Sequence, residues 1–461
     1  MGDDEFSKSH LNMELIILKS RLIESGLNLG NIAPSQPDPT SVEPVVSEGH
    51  GDGGWTGLQQ PTERMKWRRR RRRTSLSRSA FSASQVDRGP AAAGAVVSIT
   101  PPASSEKTVR VTRSLSDMEA LRPLWEAISP SWATPMQSFD WVRICAEVFG
   151  LGSDLEIVVL GNGPHAAIAP LFRVGPHGTR LDMIGANQLF EVTDFVHSDR
   201  ADTGALARTL ARYHFPIRLE RIPADSPMPT ALYHAFRGKG IVLCRENVGC
   251  PWLSLDQTWL DPEARLPKHR RQNLRRARRI AESMGPVSFE ILSPTPSQVE
   301  PALRVAYAIE AAGWKAQNRS ALAVDPRAGE FYRRYAAVAA EQGILRLCFL
   351  RIGGQPAAMQ LAVETGHRLW LLKIGYSQEF ARCSPGTLLM TEAIRYAARS
   401  GLRTFEFLGV DEPWIRAWNP LMHRCLSVRA YPFSVRGALA AARDVVAMSP
   451  KEARALFGKG R

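Results

Sequence analysis

Two stretches of this chain repeat one order of elements about 190 residues apart. The first runs L-E-I-V-V-L-G-N-G-P-H-A-A-I-A-P-L from Leu155 to Leu171, then Arg180 to Gly185. The second runs L-R-L-C-F-L-R-I-G-G-Q-P-A-A-M-Q-L from Leu345 to Leu361, then Arg368 to Gly375. Each reads as strand, glycine turn, apolar strand, second turn and third strand, an antiparallel meander. After Gly185 follow a helix over Thr203–Tyr213, the strand Ile217–Ile222 and Asp225; after Gly375 follow a helix over Pro385–Ser400, the strand Thr404–Leu408 and Asp411. A repeat of this length is a full supersecondary unit, so the chain is expected to build two similar α/β halves with mixed sheets.

The alternating pattern starts near Val109. Residues 1–106 are rich in Pro, Gly and Ser and hold the six consecutive arginines Arg68–Arg73. Such a composition buries too little apolar surface to offset chain entropy, and a disordered tail is expected. The organisation expected after it is an N-terminal half over 107–260, a basic linker helix over 261–284, a C-terminal half over 285–436 and a helical tail over 437–461.

The formal net charge of +14 is concentrated in two windows, Arg64–Ser79 and Arg265–Arg279, which hold basic residues and no acid. The rest is close to neutral, so a general DNA-binding surface is not expected. The six cysteines (Cys145, Cys244, Cys250, Cys348, Cys383, Cys425) form no C-x-x-C, and the ten histidines show no metal spacing. Neither a disulfide framework nor a metal site is expected, and a reducing compartment fits. No apolar run approaches the ~20 residues of a membrane span, and the N-terminus lacks a basic segment followed by an apolar core. A cytoplasmic protein without a transmembrane segment is expected. No Ser/His/Asp arrangement or G-x-S-x-G appears, so covalent acyl-enzyme chemistry has no support.

Strand–strand–strand–helix–strand, twice over and preceded by helices, resembles a duplicated GNAT (N-acetyltransferase) fold. In detail the chain resembles the BioF2-like, CelD/BcsL acetyltransferases, which are related to the Fem-type aminoacyl transferases. The residues that carry the likeness are Arg271–Arg276 (R-Q-N-L-R-R), Glu310–Lys315 (E-A-A-G-W-K), Leu372–Tyr376 (L-K-I-G-Y), Ser384-Pro-Gly386, Leu408–Asp411 (L-G-V-D) and Trp418. They span about Leu121 to Pro432 and are densest after Arg265. The resemblance implies two tandem GNAT-like domains, acetyl-CoA or another acyl-CoA as co-substrate, and an amine or hydroxyl acceptor on a small molecule or saccharide. It also hints at cell-envelope or exopolysaccharide metabolism. Two other functions stay open: Fem-like transfer from aminoacyl-tRNA, and a non-catalytic module that binds an envelope precursor.

A GNAT site needs a helix N-terminus for the pyrophosphate, two splayed strands for the pantetheine arm, and a polar group that handles the proton. Ser384 as N-cap, Pro385 at the first helical position and Gly386 for close approach suit the first need. The amides of Gly386, Thr387 and Leu388 are expected to face the phosphates, with Arg382 adding a charged bond. Only one glycine follows Arg382, unlike the usual R/Q-x-x-G-x-G/A loop, and a merely well-capped helix is the other reading. The matching N-terminal helix opens with Asp199 and Asp202, which would repel phosphate, so a single site in the second half is expected.

Lys373 interrupts an apolar strand, either as an edge residue whose head reaches solvent or as a group that orients an acyl carbonyl or anionic substrate. Glu310 shares a helical face with Leu303, Ala306 and Tyr307, and desolvation there suits a general base; the other reading pairs it with Lys315 or an arginine. Asp411 follows a strand end and either acts in the site or caps the Glu412–Trp414 turn. Tyr376 is a candidate acid toward the leaving thiolate. Trp314 and Lys315 are expected at the mouth as substrate contacts, although Trp314, Trp370, Trp414 and Trp418 also read as core. The basic run Lys268–Arg279 either receives a 3′-phosphate, a polyanionic acceptor or tRNA, or is a solvated linker.

Overall fold

The computed structural model describes residues 108–129, 133–175, 178–312 and 325–447. The tail expected over 1–106 and the last residues of the expected helical tail lie outside them. Thirteen strands form one mixed sheet. They are β1 (Val109–Thr112), β2 (Leu155–Leu160), β3 (Ala167–Val174), β4 (Arg180–Met183), β5 (Val196–His197), β6 (Ile217–Pro223), β7 (Gly240–Ser254), β8 (Val287–Leu292), β9 (Leu345–Ile352), β10 (Gln355–Thr365), β11 (Arg368–Tyr376), β12 (Thr404–Glu406) and β13 (Leu421–Pro432). Among the described residues, the helices of eight or more residues are α1 (Phe139–Val148), α2 (Thr203–Arg212), α3 (Met228–Ala235), α4 (Lys268–Met284), α5 (Pro296–Ala311), α6 (Pro326–Glu341), α7 (Pro385–Arg399) and α8 (Val435–Val446).

The mixed α/β architecture and the repeat are both present. In the first half β2, β3 and β4 pair antiparallel in succession and β4 then pairs parallel with β6. In the second half β9, β10 and β11 pair antiparallel and β11 then pairs parallel with β12. The helix between the last two strands is α2 in one half and α7 in the other, as a parallel crossover requires.

The two sheets then exchange strands. The order is β1-β2-β3-β4-β6-β13-β7-β12-β11-β10-β9-β8, with β5 paired to β3 off this path. β13, from the second half, lies between β6 and β7 of the first, and β7 lies against β12 of the second. β7 and β13 run together from Ile241↔Tyr431 to Trp252↔Leu421. Gly249 is required at this seam, because a Cβ there would stand 2.6 Å from the His423 carbonyl oxygen.

Burial follows from strand alternation. Trp125, Trp141, Ile157 and Val159 share one continuous core with Phe331, Tyr332, Tyr335, Leu347 and Met359, so one face of the sheet is common to both halves. There α1 meets α6, with Trp141 edge-on to Phe331 and to Tyr335 at 4.7 Å each. On the other face α7 and α4 cover the second half and α2 and α3 the first.

α4 is not a free linker. Leu274, Ala277 and Ala281, at spacings of three and four, are buried in the second half's core. Arg278 pairs with Glu263 at 3.2 Å and Glu392 at 3.5 Å, while most of the other charges face out.

A strand exchange predicts one melting event. Leu219 in β6 is fully buried opposite Val428 of β13. Leu219→Ala should cost about 2–5 kcal/mol and shift a single calorimetric transition. Two resolved transitions, only one of them moved, would mean that the halves melt separately.

Candidate functional site

β11 holds β12 only over Arg368↔Thr404, Leu369↔Phe405 and Trp370↔Glu406. Beyond Trp370, β11 continues to Tyr376 with β10 as its ladder partner, while Phe407 turns its amide to the Pro251 carbonyl of β7. The two parallel strands therefore diverge, and among the described residues no strand pairs with β11 on that side beyond Trp370. A cleft of about 790 Å³ opens at the divergence.

A bulge decides which side chains face it. Leu361 pairs with Lys373 and Ala362 with Leu371, so Leu372 is an extra residue in β11. An extra residue reverses the alternation that follows it. Leu372 thus packs in the core shared by both halves, and Lys373 joins it on that side with Nζ 4.7 Å from the Tyr332 ring centre. Ile374 and Tyr376 turn to the α7 side.

The floor and one wall come from α5 and α7. Glu310, in the last turn of α5, is 1% exposed and lines the cleft beside Gly375. A Cβ at Gly375 would come within 3.0 Å of Glu310 Cα and Cβ, so the strand approaches the helix only because that residue is glycine. At the N-terminus of α7, Ser384, Gly386 and Thr387 line the cleft, with Tyr376 against Gly386.

The helix start differs in detail from the expected one. Ser384 occupies the N-cap position in the left-handed region, at φ 47°, and its hydroxyl makes no capping bond. Its carbonyl instead accepts from Thr387 N at 3.0 Å and Leu388 N at 3.3 Å. Of the three amides expected to face a phosphate, that of Gly386 has no backbone partner among the described residues, and the Leu388 side chain is buried in the core.

Arg382 and Asp411 also stand apart from the cleft. Arg382 is exposed and its Nε lies 3.3 Å from Met284 Sδ, at the end of α4. Asp411 is exposed and Oδ2 accepts from Arg416 Nε at 2.9 Å, a local pair. Its neighbour Glu412 lines the cleft and accepts from Trp414 Nε1 at 2.5 Å. Trp370 and Trp418 are buried, whereas Trp414 lines the cleft. Trp314 and Lys315 lie outside the described residues. In the first half, Asp202 caps α2 through Ala205 N at 2.8 Å, so that helix start is closed by its own carboxylate.

Residues 268–416 match the family described as an acetyltransferase (GNAT) domain. The second half carries a GNAT acetyltransferase domain. No curated protein matches the chain significantly. Among solved structures, the chain is similar to FemX at 11% identity, covering 71% of this chain and 97% of that one with a TM-score of 0.44. It is similar to L-PGS from Bacillus licheniformis at 12% identity, 69% and 91% coverage and a TM-score of 0.43. It is also similar to a tandem GNAT protein from the clavulanic acid biosynthesis pathway at 18% identity, 71% and 98% coverage and a TM-score of 0.39. No helix among the described residues is long and apolar enough to cross a membrane.

The first half reaches into the GNAT domain's cleft with a segment that sequence reasoning passed over. Leu189, Phe190 and Glu191 line it. Glu191 is 6% exposed and its Oε2 has no hydrogen-bond partner; Gln360 Oε1, also facing the cleft, has none either. Burial pushes the Glu191 carboxyl up to about 7 against the pull of Lys373 and Arg221.

Arg221 fixes this segment. It is fully buried in β6 at φ 54°. It donates to the Phe190 carbonyl, and through Nη2 to the Gly409 carbonyl of the GNAT domain at 2.6 Å. Alternation in Ile217-Arg-Leu-Glu-Arg-Ile222 would set Arg221 beside Ile217 and Leu219, but its left-handed backbone breaks the alternation, and Ile222 joins their core instead. Glu191 gives no such signal, because it lies outside any strand or helix.

Burial likewise pushes Asp194 up to about 7. Between the ordinary carboxylate range and that value the native state holds protons that the unfolded chain has lost. Stability from these groups is therefore full at low pH and declines as pH rises toward 7. Glu191→Gln and Asp194→Asn should each gain on the wild type by roughly 1–3 kcal/mol between pH 5 and pH 8, measured by urea unfolding. A difference that does not change with pH would refute the raised values.

Proposed function

We propose that the chain transfers an acyl group from acyl-CoA to an amine or hydroxyl on a small molecule or saccharide, the latter setting it in cell-envelope or exopolysaccharide metabolism. The observation that carries this reading is the parting of β11 from β12 directly opposite the start of α7. The pantetheine arm would enter where β11 runs on past Trp370, its last pair with β12. Gln360 Oε1 offers its spare acceptor to an amide N–H of that arm. The pyrophosphate would sit at Gly386, whose amide has no backbone partner among the described residues and where the helix dipole favours negative charge. On α4, a groove lined by Gln272, Arg275, Arg278, Arg279 and Glu282, with three cations to one acid, suits the nucleotide's 3′-phosphate.

With the thioester in the splay, its carbonyl lies between the two faces of the sheet. Lys373 polarises the carbonyl oxygen from the side shared by both halves, and Tyr376, on the α7 side, protonates the departing sulfur. Glu310 holds the acceptor by a hydrogen bond, which orients the nucleophile toward the acyl carbon. The nucleophile attacks directly, in keeping with the lack of a serine or cysteine elbow.

Acetyl-CoA at a hundred times its Kd should stabilise the full chain by about 2.7 kcal/mol, and Gly386→Asp, which sets a carboxylate at the phosphate position, should remove that gain. Glu310→Gln should keep the gain and lower turnover about tenfold or more. A Gly386→Asp protein stabilised as well as the wild type would contradict the docking of the carrier at α7.

A further inference from the structure

The cleft holds a carboxylate that comes from outside the GNAT domain, and its surroundings have the marks of a working group. Glu191 follows directly on a residue that is pinned in place: Arg221 donates to the Phe190 carbonyl and, with its other nitrogen, to the Gly409 carbonyl of the GNAT domain, which ties the segment to the end of β12. Phe190 is left-handed at φ 57°, and its ring stacks under the same guanidinium at 4.5 Å. A buried arginine and two left-handed residues are costly to keep, and here they fix one loop over one opening. What the loop presents there is a carboxylate with one oxygen unpartnered. Glu310, the acid supplied by the GNAT domain itself, has a partner of its own.

We infer that Glu191 is the general base of the transfer, contributed in cis by the first half, and that Glu310 holds the acceptor for it. This deepens the acyltransferase reading and rests on it. As the nucleophile's bond to the acyl carbon forms, its N–H or O–H proton passes to Glu191 Oε2. The C–S bond breaks, its electron pair leaves on the CoA sulfur, and that sulfur takes the Tyr376 phenolic proton. Glu191 then returns its proton to the Tyr376 phenolate through solvent, so the cycle closes with acyl acceptor and CoA thiol as products. Lys373 and Arg221 keep the ionised base tolerable in a buried place, and water's exclusion from Oε2 keeps it reactive. The work assigned to Glu310 from sequence is thereby divided between two carboxylates, one from each half.

The test uses the full chain with acetyl-CoA, and with water and hydroxylamine as acceptor probes, following free thiol release against pH. The expected result is a wild-type rate that rises with pH to a midpoint near 7, and a Glu191→Gln rate lower by about 100-fold with that midpoint gone. Stabilisation by acetyl-CoA should be the same in both. Equal rates in the two proteins, at whatever level, overturn the role. A loss of acetyl-CoA stabilisation in the variant alone also overturns it, since Glu191 would then serve the carrier. A wild type that gains nothing from acetyl-CoA sinks the acyltransferase reading itself, and the base with it. Should Glu191→Gln not fold, Glu191→Asp reads the same role. It keeps a carboxylate one methylene short, so the rate should fall while the pH midpoint stays; an undiminished rate overturns the assignment.

Discussion

The seam between β7 and β13 is the constraint on which the rest of the molecule depends. Each of these strands is paired along its length with the other, and each also closes the sheet of the half it does not come from. The parallel pairs β4/β6 and β11/β12 would otherwise leave β6 and β12 as bare edges, an invitation to mispairing. Exchange turns those edges into the middle of a single sheet. It also brings the loop after β4 of one half up against the end of β12 in the other, which is how Arg221 comes to bridge Phe190 and Gly409.

The division of labour between the halves follows from that geometry. On the proposed reading, the second half supplies what a carrier with phosphates needs: β11 beyond its last pair with β12, the Gly386 amide at the head of α7, and arginines along α4. The first half has the matching elements, but Asp202 occupies the head of α2, so the equivalent place is closed. What it contributes instead is a rigid wall with an acid in it. One bulged residue, Leu372, is what lets Lys373 share a face with that wall; without it the lysine would turn toward α7.

The sequence made the repeat, the mixed α/β class, α7 and the burial of Glu310 legible, because all of these rest on local periodicity and turn chemistry. Strand exchange was not legible: β7 and β13 have the same alternation whichever neighbour they choose, and pairing across some 180 residues leaves no local mark. The head of α7 was legible as a place but not in its bonds. Serine, proline and glycine fix the start, yet the left-handed turn at Ser384 withdraws its hydroxyl and directs its carbonyl to Thr387 instead. For Asp411, left open between the site and a local role, the structure shows a local pair with Arg416, five residues on. Arg221 departs from the parity of its own strand, and Glu191 depends on where a loop lands.

The exchanged strand also sets a timetable for synthesis. β6 is complete about 200 residues before β13 begins, a gap of roughly 10–40 s on the ribosome. Throughout that interval the nascent first half has an unsatisfied, largely apolar border that its own residues cannot cover. The first half thus cannot complete its sheet until β13 has emerged, and until then β6 is the border most in need of a chaperone's protection.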